Sequence, residues 1–453
     1  MQKNLQKILI ANRGEIALRA IRTIREMGKY SIAVYSTADK EAHYLDVADA
    51  KVCVGGDKSS ESYLNMPAII SAAELFGADA IFPGYGFLSE NQAFVEICQA
   101  HGIEFIGPNA EVMALMSDKS KAKEVMKQIG MPVIPGSEGA LKGHEHAKEE
   151  AARIGYPVIL KAASGGGGRG MRIVQSEENI INAYLAAESE AISAFGDGTI
   201  YMEKFIDNPK HIEVQILADK HGNVVHIGER DCSMQRRHQK LIEESPAIAL
   251  LPETREKLLA KAVEVARAIH YVGAGTFEFL LDSEQNFYFM EMNTRLQVEH
   301  PVSEMVSGID IVEWMIRIAQ GEELFKQESV HFRGHAIECR ITAEDPERFF
   351  PSPGKIVRFI APGGAFVRVD SHVYEGYTIP IHYDSMIGKL IVWGESRQKA
   401  IARMSRALDE FTIQGVRTVI PFHQKMMQNQ DFQENRIHTK YLEQSLLEYE
   451  QKD

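Results

Sequence analysis

The sequence predicts a protein of mixed α/β and α+β class with about three domains. Its 453 residues correspond to about three units at ~150 residues per domain. In the first third, short apolar strands alternate with helical patterns, which is typical of a parallel sheet with helices on its faces. Further along the chain, strands follow one another directly, which indicates hairpins and a mixed C-terminal half.

The first third supplies the parallel sheet. Apolar residues predict a strand over Lys7–Ala11, and helical spacing over Glu15–Met27 predicts a helix that ends at Gly28. The same reasoning predicts strands at Ser31–Tyr35, Ala80–Phe82 and Ile103–Ile106, a helix at Pro67–Phe76 and a second helix after the turn-rich stretch Pro83–Asn91. Ligands of such sheets bind at the carboxyl ends of strands, where Asn12–Glu15 and Gly84–Gly86 lie.

A smaller unit begins near Met131, after the break at Gly130. Its predicted elements are strands at Pro157–Ala162, Met171–Val174 and Ile200–Phe205 and a helix at Glu178–Glu190. The elements predicted after it are strands at Ile212–Asp219, Val224–Glu229, Thr276–Leu281 and Phe287–Asn293 and helices at Glu253–His270 and Ser396–Phe411.

Composition excludes several classes of protein. The formal net charge is 50 − 63 = −13, which argues against a general binder of nucleic-acid backbones. The four cysteines form no C-x-x-C pair, so a disulfide scaffold or structural zinc site is not expected. No window approaches the roughly 20 apolar residues of a membrane helix, and the N-terminus does not resemble a signal peptide. We therefore expect a cytoplasmic protein that binds neither membrane nor nucleic acid.

A glycine-rich loop at Gly165–Gly170 predicts a phosphate site. It formally matches G-x-G-x-x-G, but strands are predicted on both sides, so it is a hairpin tip and not the strand-to-helix turn of a dinucleotide fold. Backbone amides of such a tip can approach phosphate oxygens because no Cβ intervenes, and Lys161 adds a charge just before it. The alternative is a plain flexible surface turn.

Two carboxylates on neighbouring strands predict a metal site. Glu278 lies between two phenylalanines, and Glu291 and Asn293 share one face of the next strand. If the strands pair, the carboxylates converge into a hard-oxygen site suited to Mg²⁺ with bound phosphates. The alternative is an ordinary solvated face, which is disfavoured because the surrounding strands are aromatic-rich.

The alternation continues from Asn293 through Arg295, Gln297 and Glu299. If the chain stays extended, all four side chains project into one cavity beside the metal. Arg295 could then hold an oxyanion, and Glu299 could accept a proton while a nearby arginine keeps it ionised. The alternative is a polar loop.

The segment Arg230–Lys240 is strongly basic in an acidic protein. It could be a solvated loop or a nucleic-acid patch, but it lacks the aromatic residues of a base-stacking surface. A site for a substrate anion or phosphate fits better.

Together these segments resemble the biotin carboxylases of the ATP-grasp superfamily. The residues that carry the resemblance are the stretches ILIANRGEIA (8–17), FPGYGFLSEN (82–91), KAASGGGGRGM (161–171), ERDCSMQRRHQK (229–240), EMNTRLQVEHPVSEM (291–305), ECRITAEDP (338–346) and PSPGKI (351–356). The resemblance covers nearly the whole chain. One departure is the Ala-Ala-Ser before four consecutive glycines, where some members have a longer glycine run.

The resemblance implies three domains: an N-terminal α/β domain over 1–115, an ATP-grasp domain over 116–330 with a mobile glycine-rich lid at about 131–205, and a mixed C-terminal domain over 331–447. It implies ATP, Mg²⁺ or Mn²⁺, bicarbonate, and biotin on a carrier protein. The reaction would be carboxylation of biotin through carboxyphosphate, the first half-reaction of acetyl-CoA carboxylase in fatty acid synthesis.

The resemblance also implies a role for individual residues. The positions that match the ATP site are Lys119, Lys161, Gly165, Gly166, Gly167, Gly168, Glu203, Lys204, Ile206, His211, Gln235, His238, Glu278 and Glu291. The positions that match the metal site are Glu278, Glu291 and Asn293, and those that match the bicarbonate pocket are Lys240, Arg295, Gln297 and Val298. Glu299 matches the catalytic base, and Arg295 and Arg340 match the residues at the biotin.

The resemblance leaves alternatives open. No Ala-Met-Lys-Met biotinylation motif and no carboxyltransferase domain are found, so we expect a stand-alone subunit, commonly a homodimer, that works with a biotin carboxyl carrier protein and carboxyltransferase subunits. The final acceptor could be acetyl-CoA, another acyl-CoA, pyruvate or urea. The competing hypotheses are a different ATP-grasp ligase and a non-catalytic ATP-binding protein.

Overall fold

The computed structural model describes residues 3–162, 171–195 and 197–450, with the backbone alone at 119–120, 194–195 and 446–450. Within residues 3–128, all of which are described, five strands form one parallel sheet in the order β3-β2-β1-β4-β5. The strands are β1 (Lys7–Ile10), β2 (Tyr30–Ser36), β3 (Ala50–Gly55), β4 (Ala80–Phe82) and β5 (Glu104–Phe105). The helices of this region are α1 (Gly14–Glu26), α2 (Tyr44–Val47), α3 (Met66–Phe76), α4 (Gln92–Ala100), α5 (Ala110–Ser117) and α6 (Lys119–Gln128).

This sheet confirms the predicted parallel N-terminal domain. The sequence patterns also located α1, α3, β1, β2 and β4 to within a residue or two. Strand β3 was not predicted. It pairs with β2 at the edge of the sheet, and its side chains alternate between exposed and partly buried positions, so its hydrophobic pattern is weak.

A small antiparallel sheet follows, in the order β7-β6-β8. Its elements are α7 (His144–Ile154), β6 (Val158–Ala162), β7 (Met171–Val174), α8 (Ile180–Phe195) and β8 (Ile200–Lys204). Lys161 lies opposite Met171, as the predicted hairpin requires. The helix α7 was not predicted.

One antiparallel sheet dominates the rest of the molecule. Within residues 210–394, all of which are described, it has eight strands in the order β13-β12-β9-β10-β11-β14-β17-β16. The strands of residues 210–414 are β9 (Lys210–Ala218), β10 (Val224–Arg236), β11 (Gln239–Ser245), β12 (Gly273–Leu281), β13 (Phe287–Asn293), β14 (His335–Thr342), β15 (Arg358–Ile360), β16 (Val367–Ser371), β17 (Met386–Gly394) and β18 (Thr412–Gln414). The last of these pairs only with β15.

Helices cover both faces of this sheet. The helices in contact with its strands include α9 (Pro252–Ala268), α10 (His300–Ser307), α11 (Ile311–Gln320), α12 (Arg397–Glu410) and α15 (Tyr441–Glu450), and α13 (Ile420–Gln428) and α14 (Gln430–Gln433) pack next to α12. Phe277, Phe279 and Phe289 are fully buried in a core that includes Leu258 and Val265 of α9. The opposite faces of β12 and β13 are therefore free to carry the polar groups of a site.

The basic segment is neither a solvated loop nor a surface patch. Residues up to Arg236 belong to β10, which is longer than predicted, and the segment turns at Arg237–His238 into β11. Arg230 is fully buried.

All four cysteines are free, and only Cys53 is exposed. Among the described residues, no helix is both long enough and apolar enough to span a bilayer.

Candidate active site

A cavity of about 970 Å³ lies between the N-terminal sheet and the large antiparallel sheet. On the N-terminal side it is lined by Asn12–Glu15 and by Tyr85–Phe87, at the carboxyl ends of β1 and β4. The Asn12 amide donates to the carbonyl oxygens of Pro83 (2.7 Å) and Tyr85 (2.8 Å), which joins the two strand ends. The predicted position of a ligand site at these ends is thus matched by a cavity.

On the other side, the large sheet supplies most of the side chains that the sequence singled out. Those that line the cavity are His211, Gln235, His238, Lys240, Glu278, Glu291, Asn293, Arg295, Gln297, Val298 and Arg340. They come from β9, β10, β11, β12, β13 and β14 and from the turns that follow β10 and β13. Residues more than 100 positions apart in sequence are brought together because these strands are neighbours in one sheet.

The carboxylate hairpin forms as predicted. Strands β12 and β13 pair antiparallel with Glu278 directly opposite Glu291. Glu278 is almost completely buried and accepts hydrogen bonds from Lys240 (2.9 Å), Asn293 (2.7 Å) and Gln297 (3.0 Å). The two carboxylates and the Asn293 amide oxygen are hard donors on the cavity wall, so their chemistry fits a Mg²⁺ ion.

Lys240 is the central cation of the site. Its ammonium group contacts the carboxylates of Glu213, Glu278 and Glu299, the last at 2.8 Å. Burial alone would lower the pKa of Lys240, but these three carboxylates outweigh it and hold the pKa well above its ordinary value. The same contacts hold the pKa values of Glu213 and Glu278 below the usual range despite burial. All three carboxylates are therefore ionised at neutral pH.

Glu213 and Arg230 belong to this cluster, and the sequence analysis missed both roles. Arg230 is fully buried, bonds to Glu213 (3.0 Å), and also donates to Gln215 (2.8 Å) and Ser303 (3.0 Å). A signal for Glu213 was present in β9, where polar residues at 211, 213 and 215 alternate with apolar ones at 212, 214 and 216. That alternation marks a strand with one polar face that is nevertheless buried.

Glu299 lies behind the cavity wall. It is fully buried, and its carboxylate bonds to Lys240 (2.8 Å) and to Arg340 (2.9 Å), which also donates to Glu243 (2.6 Å). Burial would raise the pKa of Glu299, but Lys240 outweighs it and, with Arg340 and Arg230, lowers the pKa. An ionised carboxylate between two cations can accept a proton from a small acid that reaches them.

The chain does not stay extended from Asn293 to Glu299, so the condition under which all four side chains would project into one cavity is not met. The chain bends at Arg295 and turns at Val298–Glu299, because Glu299 is the N-cap of α10 and Pro301 occupies the first turn of this helix. Asn293, Arg295 and Gln297 still line the cavity. Glu299 does not line it and is connected to the cluster through its ion pairs with Lys240 and Arg340. Arg295 contacts Glu90 (2.9 Å) and the Asn293 oxygen (3.0 Å).

The predicted nucleotide-binding residues divide into two groups. His211 joins the cavity cluster, where Glu278 outweighs the effect of burial and raises the His211 pKa to about 9. Lys161 and Glu203 form a separate pair on β6 and β8, and Lys123 donates to Glu203 at 2.9 Å.

Of the remaining predicted nucleotide residues, the two whose side chains the structure describes, Lys204 and Ile206, do not line the cavity. The Lys204 ammonium is held by the carbonyl oxygens of Gly155 (3.0 Å) and Tyr156 (2.8 Å), and Ile206 lies partly buried just after β8. Gly165, Gly166, Gly167 and Gly168 lie outside the described residues, as does the side chain of Lys119.

Three family models match consecutive parts of the chain. Residues 4–113 match the family described as Biotin carboxylase, N-terminal domain. Residues 118–327 match Carbamoyl-phosphate synthase L chain, ATP binding domain. Residues 338–444 match Biotin carboxylase C-terminal domain.

Individual relatives agree with these matches. The chain is 57% identical to the biotin carboxylase of Nostoc over 439 residues, which are 96% of this chain and 98% of the relative. It is 65% identical to a biotin carboxylase from Campylobacter jejuni solved in a β,γ-ATP complex, with a TM-score of 0.88 and coverage of 97% and 99%. It is 50% identical to the biotin carboxylase domain dimer of Hydrogenobacter thermophilus 2-oxoglutarate carboxylase, solved with MgADP, ADP and bicarbonate, with a TM-score of 0.86 and coverage of 97% of both chains.

Proposed function

This chain belongs to the biotin carboxylase family, and we propose that it uses ATP and bicarbonate to carboxylate biotin on a carrier protein. It is an ATP-dependent enzyme of the ATP-grasp superfamily. The observation that carries the assignment of the chemistry is the buried Glu299 carboxylate, which lies between Lys240 and Arg340 directly behind the cavity wall.

The residues of the anion pocket support the proposed activation of bicarbonate. Lys240, Arg295 and Gln297 line the cavity together with Val298, and they offer two cations, an amide and a backbone N–H to a small oxyanion. Glu299 removes the bicarbonate proton, and the resulting dianion attacks the terminal phosphorus of ATP to give carboxyphosphate and ADP. The lowered pKa of Glu299 keeps this base ionised at neutral pH.

The nucleotide would lie across two surfaces of the chain. The proposed residues are His211, Gln235, His238, Glu278 and Glu291 on the cavity side and Lys119, Lys161, Gly165, Gly166, Gly167, Gly168, Glu203, Lys204 and Ile206 on the other. Glu278, Glu291 and Asn293 would hold Mg²⁺ or Mn²⁺, which supplies charge neutralisation at the phosphates. The Lys204 ammonium already bonds to two carbonyl groups, so its contribution would come from its backbone.

The transfer to biotin would involve the two arginines. The C–O bond of carboxyphosphate breaks to release CO₂ and phosphate, the phosphate accepts the N1′ proton of biotin, and N1′ then forms a bond to the carbon of CO₂. Arg295 and Arg340 line the same cavity and would stabilise the negative charge on the ureido oxygen of deprotonated biotin.

We further propose the assembly in which this activity is used. The chain would act as a homodimer together with a biotin carboxyl carrier protein and carboxyltransferase subunits, with acetyl-CoA as the final acceptor. A dimer is described for the related Hydrogenobacter domain. That domain belongs to a 2-oxoglutarate carboxylase, and for this reason an acceptor other than acetyl-CoA is the second candidate. The family matches support the proposed division into 1–115, 116–330 and 331–447. Purification of the native complex and identification of its other chains would decide between the acceptors.

The function is tested by bicarbonate-dependent ATP hydrolysis with and without free biotin. We expect biotin to stimulate hydrolysis. The substitution Glu299→Gln is expected to reduce biotin-dependent turnover at least ~10²-fold while ATP binding is retained, because Gln cannot accept the proton.

Glu104→Gln is the matched control, since Glu104 forms surface ion pairs with Lys3 and Lys220 away from the cavity. Normal turnover by Glu299→Gln would refute the role of the base. Turnover on another carboxylate or amine without any response to biotin would indicate a different ATP-grasp ligase.

A further inference from the structure

Two fully buried side chains, His300 and Lys389, lie behind the anion pocket and have no part in the mechanism above. The His300 Nδ1 atom is 2.8 Å from the carbonyl oxygen of Gln297. The Lys389 ammonium donates to the carbonyl oxygen of Val298 at 2.9 Å and pairs with Glu15 at 3.1 Å. Two consecutive carbonyl groups of the turn before α10 are therefore held by buried side chains that do not themselves line the cavity.

The contact with Gln297 determines where the His300 proton lies. A carbonyl oxygen only accepts hydrogen bonds, so Nδ1 must be the protonated nitrogen. The other nitrogen, Nε2, has no hydrogen-bond partner among the described residues, and the nearest carboxylate oxygen, on Glu304, is 3.9 Å away. Burial lowers the pKa of His300 to about 3. The imidazole is therefore neutral at physiological pH and acts as a donor to Gln297.

This bond fixes the direction of an amide in the pocket. The peptide unit is planar and trans, so its C=O and N–H groups point in opposite directions. The carbonyl of Gln297 and the N–H of Val298 belong to one such unit. The carbonyl is held towards α10, where it also accepts from the His300 backbone N–H at 3.3 Å. The Val298 N–H therefore points to the cavity that Val298 lines, and it donates to no other described residue.

We propose that His300 is a positioning residue for the bicarbonate pocket, because its Nδ1–H holds the Gln297 carbonyl and so aims the Val298 N–H at the anion. Lys389 holds the following peptide in the same way. This inference rests on the proposed function. A donor that is already oriented needs no rearrangement when the anion binds, whereas a peptide free to rotate would turn its N–H away for part of the time.

The test separates the affinity for bicarbonate from other steps. His300→Leu keeps an apolar side chain of similar size but removes the donor. We expect the KM for bicarbonate, measured in buffer depleted of dissolved CO₂, to rise at least ~10-fold, with the KM for ATP changed by less than ~2-fold. His300→Asn should recover most of the bicarbonate affinity, because its side-chain N–H can reach the Gln297 carbonyl.

The control is His335→Leu, which removes another buried imidazole, one bonded to Glu244 at 2.8 Å. It should leave the KM for bicarbonate unchanged. A folded His300→Leu protein with an unchanged KM for bicarbonate overturns the inference. The inference is also overturned if the KM for bicarbonate rises as much in His300→Asn as in His300→Leu. If the unaltered chain shows no bicarbonate-dependent turnover, the proposed function itself fails.

A second measurement needs no folded Leu variant. In the unaltered protein labelled with [¹⁵N]histidine, the His300 resonance can be assigned by its absence from His300→Asn. We expect a neutral ring with the proton on Nδ1 at all pH values from 6 to 9. A proton on Nε2, or a ring that becomes charged in this range, overturns the inference.

Discussion

At the scale of single residues, Glu338 and Glu243 form an unusual pair. They lie directly opposite each other on β14 and β11 and are both fully buried. Three of their four carboxyl oxygens have no hydrogen-bond partner among the described residues. Burial first, and the neighbouring Glu243 and Glu299 in addition, raise the pKa of Glu338 well above its ordinary value, although Lys389 and Arg340 oppose this. We infer that the pair retains a proton at neutral pH.

This pair makes the stability of the protein depend on pH. A carboxyl group whose pKa is raised by folding keeps a proton that the unfolded chain releases, so its ionisation destabilises the fold as the pH rises from about 4.5 towards the raised pKa. Glu338→Gln cannot ionise. We expect the variant to gain melting temperature relative to the unaltered protein, and to gain more at pH 9 than at pH 6. The prediction is contradicted if the difference in melting temperature between the two proteins is the same at pH 6 and at pH 9.

The role of a residue could be predicted from the sequence where the alternation of polar and apolar residues lies within a single hairpin. The alternation in β12 and β13 was sufficient to place Glu278 opposite Glu291, because register follows from which face is buried. The local pattern was not sufficient to predict the burial of Arg230. This residue lies in a basic run, and its burial depends on the ion pair with Glu213 of another strand. The strands β9 and β10 pair with Arg230 directly opposite Glu213. The polar face is visible in the alternation of β9, but the basic run around Arg230 has no matching alternation.

At the scale of elements, the turn after β4 shapes the cavity through its glycines. Gly84 and Gly86 both have positive φ, +64° and +70°. A Cβ atom on Gly84 would lie 2.9 Å from the Asn12 amide nitrogen and 3.2 Å from Ile16, whereas one on Gly86 would have no atom within 4 Å. The Asn12 nitrogen cannot easily move, because its two hydrogen bonds join the ends of β1 and β4.

We therefore expect Gly84→Ala to lower the melting temperature more than Gly86→Ala. Both variants have the left-handed strain of about 1 kcal/mol, but only Gly84→Ala must also displace Asn12, which adds ~1–3 kcal/mol. Thermal denaturation of the two variants side by side measures the difference. Equal melting temperatures would show that the turn tolerates the added methyl group.

The misjudged elements share a physical cause. The segment after β13 alternates like a strand, yet α10 begins directly after Glu299 because Pro301 and the packing of Val302 and Val306 favour a helix there. Strand β3 was missed because an edge strand buries few side chains. In both cases tertiary contacts decide the outcome, and sequence periodicity does not record them.

At the scale of the whole molecule, the large sheet crosses the proposed boundary at 330/331. Strand β11 lies before this boundary and β14 after it, and the two are paired from Ile242 to Ser245. Separation of the chain there would leave both strands with unpaired edges, which favour aggregation. We expect the fragments 1–330 and 331–453 to be insoluble when expressed singly and to copurify when expressed together. Size-exclusion chromatography of each fragment tests this, and a monomeric, soluble fragment 1–330 would contradict it.

The same sheet has a mechanical consequence. Lys240, Glu278, Asn293 and Arg340 are attached to strands of one continuous ladder, and any displacement between them would have to shear backbone hydrogen bonds. The distances between these four side chains are therefore held rigidly by the sheet. The Lys161–Glu203 pair is attached to a different sheet. The distance between this pair and the four side chains of the large sheet is therefore not fixed by the hydrogen bonds of one ladder. A displacement of the second set towards the first would break no backbone hydrogen bond of this ladder, so the groups that face the anion would keep their alignment.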